Sequence, residues 1–180
     1  MISPDGKDWT WVLERPCPEC GFDASQCEPT SVAELVRANA QAWQALHDQG
    51  RIVAGRDHPG RWSTLEYACH VRDVYERYDE RVRLMLTEDD PLYANWDQDA
   101  SADDDRYEDQ DPAIVIEALM TNAEKIATRF AGIEGATWQR PGRRSDGASF
   151  TIDTLSRYLA HDPIHHLWDV DPRTPAAAPQ

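Results

Sequence analysis

Four stretches of the chain repeat apolar residues at the three- and four-residue spacing of an amphipathic helix, separated by polar, irregular segments. The first starts at a cap, Thr30 or Ser31, with Glu34 completing a capping box, and reaches Gln49 before Gly50. Its stripe is Val32, Leu35, Val36, Trp43 and Leu46. The second opens at Ser63 with Glu66 as its capping-box partner and runs from Leu65 to Leu86. Tyr67, Val71, Val74, Tyr78, Val82 and Met85 face inward there, and His70 sits on the flank of the stripe. The third starts near Pro112, a favourable first-turn residue, and ends near Phe130, burying Ile114, Ile116, Leu119, Ala123, Ile126 and Phe130. The fourth spans Thr151 to Val170 on Ile152, Leu155, Leu159, Asp162, His166 and Val170. No phosphate loop, nucleophile elbow or strand alternation competes with this pattern. It predicts an all-α four-helix bundle over residues 30–170, an irregular Cys-containing extension at 1–29 and a disordered tail at 171–180.

The connections differ in character. Residues 88–111 hold eleven carboxylates against Arg106, without the acid and glycine spacing of a calcium-binding loop. They predict a long solvated crossover between the second and third helices, with Tyr93, Trp96 and Tyr107 tucked against the bundle. Between the third and fourth helices lies a basic run containing Arg140, Arg143 and Arg144, an exception in a chain with 33 acidic and 18 basic residues and a net charge of −15. So acidic a protein repels phosphate backbones and carries no basic stripe, which excludes nucleic acid as a partner. No apolar run reaches the length of a membrane span, and residues 1–8 lack the basic and apolar regions of a signal peptide. The expected compartment is the cytoplasm, where free cysteines stay reduced.

Candidate chemistry is concentrated near the C-terminus, in His161-Asp162-Pro163-Ile164-His165-His166-Leu167-Trp168-Asp169. On a helix this gives two ligand pairs at i, i+4: His161 with His165, and Asp162 with His166. Asp162 and His166 continue the apolar stripe, where a polar pair needs partners, and a shared metal ion would supply them. Pro163 removes one helical hydrogen bond between the pairs and can shift their phase. A second cluster is Cys17-Pro18-Glu19-Cys20-Gly21, half of a zinc knuckle, with Cys27 as a third thiol for a structural zinc. Free thiols in a packed turn and a redox pair are the other readings of those cysteines.

Two segments resemble one family. Trp62-Ser63-Thr64-Leu65-Glu66-Tyr67-Ala68-Cys69-His70-Val71-Arg72-Asp73 is similar to the second-helix element of the DinB/YfiT-like metal-binding four-helix bundles. The helix-four segment above is similar to that family's last-helix pattern, a ligand histidine followed three residues later by Gln or Asp. The resemblance covers residues 30–170 and leaves out the cysteine-rich N-terminus. It implies that His70 and His166 are metal ligands, with Asp162 where the family has His or Glu; His161 and His165 remain the alternative register. It also implies a divalent metal, zinc first with nickel or iron as alternatives, and a low-molecular-weight thiol such as mycothiol as co-substrate. The implied function is thiol S-transfer or isomerisation of a small electrophile. Asp73 would then orient a ligand or act as base, and Arg143 and Arg144 would grip a substrate carboxylate. The competing reading is a metal-binding or stress-response bundle without turnover, working as a homodimer.

Overall fold

The computed structural model of the chain describes residues 9–172. Its helices are α1 (Val32–Asp48), α2 (Thr64–Thr87), a short α3 (Gln98–Asp104), α4 (Pro112–Ala131) and α5 (Ile152–Val170). The four long ones are those that the periodicity predicts. α4 and α5 each pack on both α1 and α2, so the four form a bundle around one core. No helix among the described residues is long and apolar enough to cross a membrane.

Local chemistry places most of the helix starts. Ser63 caps α2 by accepting the Glu66 amide, and the Glu66 carboxylate accepts the Ser63 amide at 2.7 Å, closing the expected capping box. Asp111 caps α4 ahead of Pro112, and Thr151 caps α5. The expected box at α1 does not form. A 3₁₀ turn, Pro29–Ser31, runs straight into α1, so Ser31 is itself helical and its hydroxyl donates to the Glu28 carbonyl at 2.7 Å. Ile114 also departs from expectation, being 67% exposed, while Val115 takes the buried place. Ile114 shares its helix face with Glu117, Thr121 and Lys125, all exposed.

The connections carry structure that the periodicity does not show. Strands β1 (Leu92–Tyr93), β2 (Pro141–Arg144) and β3 (Ser149–Thr151) form a sheet in that order, parallel between β1 and β2 and antiparallel between β2 and β3. Runs of two to four residues are too short to display alternation. The sheet joins the α2–α4 crossover to the α4–α5 connection and lies on the end of α2. A Cβ at Gly142 would come 2.7 Å from Met85 Cγ, so any larger residue there would have to displace the buried Met85 side chain. The acidic crossover is solvated only in part: Asp97 caps α3, and Tyr107 is fully buried. The N-terminal extension is packed as well, with a 3₁₀ turn at Trp9–Leu13 against α5 and Cys17, Cys20, Phe22, Ala24 and Cys27 buried in the core. The predicted disordered tail lies, from residue 173 onward, outside the described residues.

Candidate metal centre

Helix α5 runs without interruption through Pro163. Asn39 of α1 steadies this stretch, donating to the Pro163 carbonyl at 2.8 Å and accepting the Tyr75 hydroxyl at 2.8 Å, which ties α1, α2 and α5 together. Successive helical residues project about 100° apart, so α5 presents its two pairs to different neighbours. Asp162 and His166 face α2, where they meet His70. His161 and His165 face the N-terminal turn, where they meet Cys17 and Cys20. Of the two registers left open by the sequence, the structure brings Asp162 and His166 to His70, while His161 and His165 lie with the cysteines instead.

In the first cluster, the ligand atoms of His70, Asp162 and His166 lie within 4.8 Å of one another. His70 Nε2 is 3.3 Å from Asp162 Oδ1, and His166 Nε2 is 3.7 Å from the same oxygen. Ligands sharing a tetrahedral zinc at ordinary bond lengths are about 3.4 Å apart. Neither nitrogen of His70, fully buried, has a hydrogen-bond partner, and neither does Asp162 Oδ1. Buried polar atoms left in this state cost free energy unless something satisfies them. Two imidazole nitrogens and a carboxylate oxygen converging on one point fit a divalent cation.

The electrostatics agree with that fit. Burial pushes the His70 imidazole below its ordinary pKa despite the opposing Asp162 carboxylate, which keeps it neutral at pH 7. Burial acts to raise the Asp162 pKa, but the neighbouring imidazoles, His70 foremost, outweigh it and hold the carboxyl well below the usual range. His166 Nδ1 lies 3.0 Å from Asp169 Oδ2, and an Nδ1–H donated there leaves Nε2 with its lone pair toward Asp162 and His70. Arg61 in turn donates to Asp169 Oδ1 at 3.0 Å. The His70 ring is stacked on Trp96 of the acidic crossover at 5.2 Å, and Trp62 lies 5.2 Å away on another side.

A cavity of about 320 Å³ opens beside the cluster and is lined by Asp162, His166, Asp169, Arg61, Trp62 and Tyr67 on one side. Trp9, Glu19, His161 and His165 form its other side. The remaining sequence-predicted residues do not line it. Asp73 accepts hydrogen bonds from the Tyr107 hydroxyl and from Arg72 Nε. Arg143 pairs with Asp90 at 2.9 Å on the exposed sheet, and Arg144 pairs with Asp146 at 2.9 Å beneath Phe150 and Tyr158. Cys27 is buried with its thiol toward the Glu28 carbonyl and joins neither cluster. The sequence motifs give no role to Arg61, which directly precedes the Trp62 element, and they mark Asp169 only as the residue three after His166.

The family model of the DinB superfamily matches residues 7–170. Among solved structures, the chain is similar to YfiT from Bacillus subtilis, described as a probable metal-dependent hydrolase with an unusual four-helix bundle topology. The TM-score is 0.70 at 16% sequence identity, over 88% of this chain and 93% of that one. No curated protein matches. With its family match spanning nearly the whole chain and its bundle shared with YfiT, this chain belongs to the DinB superfamily.

Proposed function

We propose that the chain is a metal-dependent enzyme in which His70, Asp162 and His166 hold one divalent cation and a low-molecular-weight thiol is transferred to a small electrophile. One observation carries this reading: the donors form a three-residue set beside a cavity large enough for a small molecule, and among the described residues no fourth side chain joins the set. The nitrogen and oxygen donors suit zinc, with nickel and iron as alternatives. A cation held there supplies Lewis acidity, which makes an S–H or O–H group a nucleophile at neutral pH.

The protein's own residues account for the rest. Asp169 fixes the His166 ring so that Nε2 faces the donor set. Trp62 on one side of the cavity and Trp9 on the other give it apolar walls, which would limit water around the reacting groups. Arg61, anchored on Asp169 and half-exposed at the rim, is placed to meet an anionic substrate group; in this reading it takes the part that the sequence suggested for Arg143 and Arg144. The motif resemblance supports a thiol, of the mycothiol type, as nucleophile. The likeness to YfiT supports a second reading, in which water takes that place and the reaction is hydrolysis.

The test is metal content per chain by mass spectrometry, together with turnover of a panel of small electrophiles with and without added thiols. His70→Ala and His166→Ala should each lose one metal equivalent and abolish turnover. Thiol consumed in step with product identifies transfer, whereas product formed without thiol identifies hydrolysis. Unchanged metal content and turnover in both variants would overturn the assignment.

A further inference from the structure

The side chains left over by this site form a second constellation. Cys17, Cys20, His161 and His165 bring two sulfurs and two imidazole nitrogens within 4.8 Å of one another. All four are buried, at 2%, 6%, 4% and 7% exposure, and both cysteines are free. Cys17 Sγ lies 3.6 Å from His165 Nδ1. That is long for a strong hydrogen bond, but it is the separation, about 3.6 Å, of a sulfur and a nitrogen bound to one tetrahedral zinc at usual bond lengths. His161 Nε2 is buried with no hydrogen-bond partner. The knuckle is already folded: the Cys17 amide donates to the Phe22 carbonyl at 2.8 Å, the Gly21 amide to the Cys17 carbonyl at 2.9 Å, and Gly21 adopts φ 76°, which glycine allows.

We infer that Cys17, Cys20, His161 and His165 form a closed, structural zinc site, separate from the His70–Asp162–His166 set on the adjoining face of α5. Two thiolates and two imidazoles are a donor set that zinc takes in tetrahedral form, and four protein ligands leave no position for substrate. Binding releases the Cys17 and Cys20 S–H protons to solvent as both sulfurs become thiolates, with no change of oxidation state. A redox pair would need an accessible thiol, and neither sulfur has one. The other nitrogen of His165, Nε2, lies 3.3 Å from Glu19 Oε2, a carboxylate between the two cysteines that fixes which nitrogen faces the sulfurs. The zinc staples the N-terminal segment to α5 across 148 residues of sequence. It also builds a cavity wall, since Glu19, His161 and His165 line that space and the Trp9 ring packs, tilted, against both imidazoles at 5.5 and 5.3 Å.

The test uses the full chain in zinc- and cobalt-loaded forms. Wild type should bind two metals per chain, and its cobalt form should show an intense sulfur-to-cobalt charge-transfer absorption. Cys17→Ser/Cys20→Ser should lose one equivalent and all of that absorption, while His70→Ala/His166→Ala should lose the other equivalent and keep it. Cys27→Ser should match wild type. Cys20→His keeps four donors, so it should retain the metal with a weakened absorption, which covers a double variant that fails to fold. A cobalt protein without thiolate absorption overturns the inference. So does an undiminished metal count in the double cysteine variant, or an absorption that depends on Cys27.

Discussion

Asp169 acts through another side chain. It accepts from His166 and is held in place by Arg61, so its carboxylate both sets the imidazole tautomer and raises the basicity of the nitrogen aimed at His70 and Asp162. Asp169→Asn keeps the shape and removes the charge. It should weaken metal binding at the His70 site by about 10- to 100-fold, measured by competition with a chromophoric chelator, and leave the thermal midpoint of the metal-free protein nearly unchanged. An unaltered affinity would show that the contact is incidental. At this scale the site was half legible. The helical phase of α5 separated Asp162 and His166 from His161 and His165, since phase is a local property of one helix. The partners of the second pair were not legible, because nothing local links Cys17 to a histidine 148 residues away.

Between elements, a buried charge on α2 ties that helix to α4. Asp79, 2% exposed, accepts from Arg129 Nε at 2.5 Å and Nη2 at 3.0 Å and pairs with Lys125 at 3.1 Å. Burial acts to raise its pKa, but Arg129 and Lys125 outweigh burial and hold it below the ordinary value. A carboxyl whose pKa falls on folding stabilises the fold above its unfolded pKa of about 3.9, and that stability is lost as pH drops through the lower folded value. Asp79→Asn should therefore cost about 2 kcal/mol at neutral pH, the scale of hydrogen bonds to a charged group, because Arg129 and Lys125 can still turn to water. The difference from wild type should shrink below pH 4 in urea unfolding; a difference that is constant with pH would refute the ionic origin. The helices themselves were the most legible part of the chain, because caps such as Ser63 with Glu66 and Asp111 with Pro112 are encoded within four residues. The small sheet was not, because β1 and β2 pair across some fifty residues through backbone groups that any sequence offers.

For the whole molecule, both ligand sets draw two residues each from one stretch of α5, and unfolding that helix dismantles both. A metal that binds the folded chain alone stabilises it by mass action, about 1.4 kcal/mol for each tenfold rise in free metal per site once the site is saturated. Folding stability plotted against the logarithm of free zinc should therefore rise with twice the single-site slope in wild type. The slope should fall to the single-site value in Cys17→Ser/Cys20→Ser and equally in His70→Ala/His166→Ala. Chemical denaturation in zinc buffers measures this directly, and chelation should lower the unfolding midpoint of wild type more than that of either variant. Equal slopes in all three proteins would mean that the two clusters do not each hold an ion. The slope counts metals released on unfolding rather than turnover, so it tests the architecture apart from the chemistry. A closed site would staple the N-terminal turn to α5, and an open one beside it would face a cavity whose wall the first holds in place.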